Sequence, residues 1–110
     1  MDVQLLEVYS TDSNYAVVKP PGRQYPGSVI QGDSLFILCR LAVSMSRRVR
    51  DDESQDDKFL GDLQELTHSL VGRLLHYQSV LKEHGIELPY VQPVTEADLI
   101  RLLPEERENE

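Results

Sequence analysis

Apolar positions change their period three times along the chain, and each change marks an element. From Val3 to Tyr9 the alternation is loose, with Val3, Leu5, Glu7 and Tyr9 on one face. Asp12-Ser13-Asn14 has turn chemistry, and Tyr15-Ala16-Val17-Val18 resumes an extended, β-branched run. Pro20-Pro21-Gly22 closes that strand, and Ser28-Val29-Ile30-Gln31 forms a short third. Three strands with short connections predict an antiparallel meander, and one of its faces needs a cover because a small isolated sheet is marginal in water.

The period then becomes helical. Leu35, Leu38, Cys39, Ala42, Met45 and Val49 fall at spacings of three and four, while Phe36, Ile37 and Leu41 widen the stripe. A helix so broadly apolar is expected to be buried on more than one side. Asp33 is placed to cap its start, and Arg47, Arg48 and Arg50 suit the negative end of its dipole. The polar run Asp51 to Asp57 connects to a long second helix that ends near Glu83 or His84, with Ser54 and Asp57 as its expected capping box and Gly85 as a left-handed stop. Leu60, Leu63, Thr67, Leu70, Leu74, Tyr77 and Leu81 form a heptad-like seam with one polar interruption at Thr67. Gly61 and Gly72 lie inside this helix at a cost of about 1 kcal/mol each against Ala, so close packing is expected there. After Pro89 and Pro93, Thr95-Glu96-Ala97-Asp98 caps a last short helix carrying Leu99, Ile100, Leu102 and Leu103, which Pro104 stops.

The predicted fold is α+β: a three-stranded antiparallel meander packed on a helical hairpin with a long second helix, plus a short C-terminal helix. Residues 1–104 form one domain, and 105–110 are an acidic tail with nothing to bury. At 1.5 Å per residue the second helix is about 42 Å long, against a diameter of roughly 34 Å for a compact domain of this size. Its far end therefore needs a cover, either the last helix folded back or a second copy. A homodimer joined through Leu70, Leu74, Tyr77 and Leu81 is the expectation.

Charge alters this picture in one respect. Of a net −8, residues 1–50 contribute six basic and four acidic side chains, and residues 51–110 five and fifteen. The acidic half argues against general nucleic-acid binding and favours a basic protein partner. Arg47-Arg48-Val49-Arg50 is followed at once by Asp51-Asp52-Glu53, which repels phosphate. One cysteine, Cys39, excludes an internal disulfide and fits a reducing cytoplasm, where it is expected to be buried and inert. Neither a signal peptide nor a membrane span is expected. The default is a cytoplasmic protein of bacterial type.

The densest backbone chemistry lies in Pro20 to Leu35, with three glycines and three prolines in sixteen residues. Arg23, Tyr25, Gln31, Asp33 and Ser34 are its candidate ligand or partner site, and an Arg23–Asp33 clamp is its purely structural alternative. The word Gly32-Asp33-Ser34-Leu35 resembles that of a family of serine esterases and lipases. That chemistry needs a histidine base, which the family supplies from an Asp-x-x-His element. None of His68, His76 and His84 has Asp three residues before it. Their spacing of eight rotates successive rings by about 80°, which also disfavours a shared metal. The acidic connector lacks the pattern of a calcium loop. No catalytic residue, cofactor or metal ligand is assigned, and the chain is expected not to be an enzyme.

Two further resemblances concern residues 14–45. Tyr25-Pro26-Gly27-Ser28-Val29-Ile30-Gln31-Gly32-Asp33-Ser34-Leu35 resembles the strand-to-helix start of HicB-type antitoxins, although Phe36-Ile37-Leu38 stands where those proteins carry Glu-Glu-Ala. Asn14-Tyr15-Ala16-Val17-Val18, Pro21-Gly22-Arg23, Tyr25-Pro26-Gly27 and Val29 to Leu35 are together similar to a small group of uncharacterised bacterial proteins, a domain of unknown function. That resemblance implies no activity. The expected function is a non-enzymatic interaction module, immunity- or antitoxin-like, with a small-ligand or enzymatic site at the Gly22–Ser34 corner as the alternative.

Ser34 is expected not to act as a nucleophile. A screen of short-chain acyl esters should find no turnover that Ser34→Ala abolishes, and robust, Ser34-dependent hydrolysis by a folded protein would overturn this.

Overall fold

Where the meander was expected, the computed structural model, which describes residues 2–11, 15–52 and 54–103, has a three-stranded antiparallel sheet. Its strands are short: β1 (Glu7–Ser10), β2 (Val17–Lys19) and β3 (Gly27–Ser28), in the order β1-β2-β3. Val8 faces Val18 and Glu7 faces Lys19, with a bulge between Val8 and Ser10; Val17 faces Ser28. The expected turn at Asp12-Ser13-Asn14, Glu53 of the connector and the tail from Pro104 onward lie outside the described residues.

Two helices follow, α1 (Gly32–Val49) and α2 (Asp57–Glu83). They pack as an antiparallel pair, and their seam is the core: Leu35, Cys39, Ala42 and Val43 from α1 against Leu63, Val71 and Leu74 from α2. The polar interruption Thr67 is fully buried, as is Ser46 opposite it. Their hydroxyls are 2.8 Å apart, and Thr67 Oγ1 also donates to the Ala42 carbonyl at 3.3 Å, so the pair is satisfied inside the seam.

The helix ends differ from expectation in three details. The cap of α1 is Gln31, whose side chain makes no capping bond; Asp33 is one residue inside the helix and accepts only from the Ser34 amide. Its carboxylate contributes through the helix dipole rather than as a cap. Asp56, not Ser54, caps α2, accepting from the Phe59 amide at 2.7 Å. Ser54 is instead turned back, with its amide and hydroxyl donating to Asp52, and these bonds hold the Asp52 carboxyl below its usual range. The stop of α2 is as expected: Gly85 has φ +66°, Ile86 N–H reaches the Leu81 carbonyl and Gly85 N–H that of Lys82.

The last predicted helix is a single 3₁₀ turn, η1 (Glu96–Asp98), within an otherwise irregular strap from Leu88 to Leu103. Its capping box is formed by Thr95 and Asp98 as expected. The strap folds back across the helix pair, so the cover expected for α2 comes from the chain itself. Irregular backbone must find partners for its own amides and carbonyls, and α2 supplies them. Gln78 Nε2 donates to the Val94 carbonyl at 2.9 Å, while its Oε1 accepts from Val94 N–H and the Tyr90 hydroxyl. Gln64 Oε1 accepts from the Leu102 and Leu103 amides, and His68 Nε2 donates to the Ile100 carbonyl at 2.8 Å. From α1, Phe36 stacks on Tyr90 with centroids 4.0 Å apart, and Arg47 pairs with Asp98 at 2.7 Å. Val94 and Ile100 complete the core.

The sheet adds nothing to that core. Residues 2–9 and 20–31 are exposed throughout, and neither helix makes an extensive contact with a strand. With few apolar side chains in nine strand residues, the meander has little to bury and stands beside the helices rather than across them. The Cα radius of gyration, 17.1 Å, accordingly exceeds the value of about 13 Å for a compact chain of this length.

Of the two glycines inside α2, Gly61 is closely packed, since a Cβ there would meet Leu103 Cδ1 at 3.3 Å, whereas Gly72 faces open space. Gly32 is helical rather than left-handed, and its constraint is contact: a Cβ would enter the ring and hydroxyl of Tyr77. Gly32→Ala should therefore destabilise by about 1–3 kcal/mol in a denaturant melt. In a Tyr77→Ala background the same change should become neutral or stabilising by up to about 1 kcal/mol, from helix propensity alone. Equal costs in both backgrounds would refute the contact. Gln78→Ala, which strands three strap groups at once, should cost about 2–3 kcal/mol and raise amide exchange in residues 90–103 before the helices; unchanged exchange there would show the latch to be unimportant.

Candidate functional site

The Pro20–Leu35 segment is held by a tight turn in which Gly22 has φ +78° and Arg23 N–H reaches the Pro20 carbonyl at 3.3 Å. Val29 N–H then bonds Ala16 O at 2.8 Å and leads the chain from the sheet into α1. This geometry separates the five candidate residues. Arg23 borders an open cleft with Leu5, Leu6 and Lys19 on the sheet side. Ser34 borders a different groove with Tyr15, Val29, Ile30, Ile37 and Leu38. Tyr25 is 73 % exposed, Gln31 is the helix cap, and Asp33 points to solvent. The Arg23–Asp33 clamp is not formed; the ion pairs among the described residues are Arg47–Asp98 and Lys58–Asp62.

The remaining chemistry-bearing groups are occupied elsewhere. His68 holds the strap, His76 is exposed, and His84 is the C-cap of α2. Cys39 is fully buried, and that burial raises its thiol pKa. Burial likewise pushes the Tyr90 phenol up to about 12, which keeps it a hydrogen-bond donor to Gln78. Among the described residues no helix is long and apolar enough to cross a membrane.

Of the four residues expected at a dimer interface, one is buried within the chain and three keep part of their surface. Leu74 is fully buried in the seam, and Leu70, Tyr77 and Leu81 are half-buried, Tyr77 over Gly32. Leu70 and Tyr77 are at helical spacing from Phe59 and Leu66, on the side of α2 away from Gln64 and His68.

What the structure leaves bare is another surface. On α1, Ile37, Leu38, Leu41 and Met45 are 60 %, 46 %, 57 % and 47 % exposed. They form one stripe along the outer side of α1: Leu38 and Met45 lie on the flank away from Phe36, Arg40 and Arg47, which face the strap, while Ile37 and Leu41 lie at the back of the helix, where they border a hollow with Phe36 and Arg40. On α2, Phe59 and Leu66 are 40 % and 55 % exposed. They too lie on the side of the seam away from Gly61, Gln64 and His68. In an antiparallel pair these two displacements point the same way, so one flank of the hairpin carries the strap and the opposite flank carries a continuous apolar face. The groove beside Ser34 opens onto it through Ile37 and Leu38. Sequence spacing gave the signal, because the apolar stripe of α1 is too wide for one seam, but the excess was assigned to burial.

No curated protein and no solved structure matches the chain. The similarity to HicB-type antitoxins therefore gains no support, whereas the likeness to a group of uncharacterised proteins does. Residues 1–90, which hold the sheet and both helices, match the family of unknown function DUF6959, and the chain belongs to that family.

Proposed function

We propose that this protein is a non-enzymatic interaction module of the cytoplasm whose working surface is the bare flank of the helix pair. The observation that carries this reading is the contiguous face of Ile37, Leu38, Leu41, Met45, Phe59 and Leu66. With side chains of roughly 200 Å² each, about half exposed, the face presents on the order of 600 Å² of apolar surface. That is at or beyond the largest patch of an ordinary monomer, and such patches mark sites of association. An immunity- or antitoxin-like role fits a module of this kind, and the acidic second half of the chain suits a basic partner by speeding encounter.

The alternative, a small-ligand or enzymatic site at the Gly22–Ser34 corner, draws less support. Arg23 and Ser34 border separate hollows, and neither Cys39 nor Tyr90, two groups with clearly displaced ionisation, lines either of them. The groove at Ser34 is better understood as the rim of the apolar face it opens onto.

Met45 offers a direct test, since its thioether is both half-exposed and oxidisable. Oxidative footprinting inside the native host should find Met45 protected relative to a Leu41→Arg variant that keeps the fold. Equal, rapid oxidation of Met45 in both would mean that nothing covers the face, and the interaction reading would fall.

A further inference from the structure

We infer that the occupant of the bare flank is a second copy of this chain, with the two α1 helices crossing antiparallel about a two-fold axis near Leu41. This rests on the interaction reading of the same face and names its partner.

The stripe on α1 is self-complementary about Leu41. Four residues to either side stand Ile37 and Met45, and seven to either side stand Ser34 and Arg48. A two-fold axis makes an isologous contact in which the same patch meets itself. With Leu41 on the axis, Leu41 meets its own copy and each Ile37 meets Met45 of the partner subunit. The small Ser34 lies beside Arg48 of the partner subunit, so no apolar side chain faces a charge at the ends of the stripe.

Charge selects the antiparallel arrangement. The start of α1 carries Asp33 and its last turn carries Arg47 and Arg48. Arg47 is held by Asp98, whereas Asp33 and Arg48 are exposed and take part in no ion pair among the described residues. Antiparallel packing brings Asp33 within reach of Arg48 of the partner subunit at both ends of the interface. Parallel packing would set Arg48 against Arg48 and Asp33 against Asp33. The helix dipoles favour the same choice.

Size agrees as well. To the ~600 Å² of helical face, Val29, Ile30 and Tyr15 at its rim add enough to approach roughly 1,000 Å² per copy, where a stable interface needs about 800 Å² per partner. Val29 and Ile30 are each 43 % exposed and Tyr15 is 76 % exposed. A second copy covers the two helical patches and this rim together.

The test is the mass of the purified full chain by sedimentation equilibrium at micromolar concentration. The expected species has twice the 12.6 kDa chain mass. Leu41→Arg, at an exposed position, should give a monomer with unchanged helical circular dichroism. Asp33→Arg and Arg48→Asp should each weaken the dimer by roughly twofold to thirtyfold, exposed pairs being worth about 0.2–1 kcal/mol apiece and present twice. The double reversal should restore it. A monomeric wild type overturns the inference, as does a dimer indifferent to Leu41→Arg. Failure of the double reversal to recover what the single changes lose overturns the antiparallel arrangement. If the purified chain is monomeric yet Met45 is protected in the host, a different partner takes the face: the self-association fails while the interaction reading stands. If Met45 is unprotected as well, both fail.

Discussion

Two helices laid side by side bury only the seam between them, and each of the two flanks of the pair must find its own cover. The rest of this structure follows from how one short chain meets that constraint. The seam itself is small and partly polar, with Ser46 and Thr67 at its middle exchanging a hydrogen bond where aliphatic groups would be expected. It does not suffice as a core. Val94 and Ile100, delivered from the strap, turn a two-helix contact into a closed cluster with Leu35, Cys39, Val43, Val71 and Leu74.

Covering a flank with irregular chain rather than a third helix moves the burden of hydrogen bonding onto side chains. The polar residues on one side of α2 accept it: Gln78 bonds the strap backbone at its middle, and His68 and Gln64 bond it toward its C-terminal end. Each of these residues meets a main-chain group, so the strap's path is set by α2 and depends less on the strap's own side chains. Gly61 lets Leu103 lie close against the helix, and the Phe36–Tyr90 stack ties the other end to α1. Arg40, 5.5 Å from the Phe36 ring centre, closes over that stack. The flank so treated is fully used, whereas Leu70 and Tyr77, at helical spacing from Leu66, lie on the other side of α2 and keep part of their surface.

Elements governed by local rules were legible in the sequence. Periodicity gives both helices and turn chemistry the order of the three strands, although the first strand is only Glu7–Ser10 and the third is Gly27–Ser28 rather than Ser28–Gln31; Gly85 and the Thr95–Asp98 box end and begin their turns as the residues imply. What was not legible depends on register or on tertiary contact. Asp33 and Asp56 are both acids beside a helix start, and a shift of one or two residues decides that only Asp56 caps. Gly32 looks like turn chemistry in sequence but answers to Tyr77, forty-five positions away. The strap has no period at all, because side chains of another element satisfy its backbone. The candidate corner failed for a related reason. Density of Gly and Pro signals a constrained path, and here that path carries Arg23 and Ser34 to different hollows.

The uncovered flank also bears on the sheet. Strands of four, three and two residues are at the lower limit of independent stability, and this sheet has no strand packed broadly on a helix. Beside the sheet, Tyr15, Val29 and Ile30 line a groove with Ser34, Ile37 and Leu38, on the rim of the exposed face. Any partner seated on that face touches the rim as well, and binding to the folded state alone stabilises whatever it touches. Association and ordering of the meander are therefore linked through the same few side chains. On the proposed association the sheet would be part of the interface rather than a scaffold for it: the helices and strap hold the fold, and covering the flank would support the short strands.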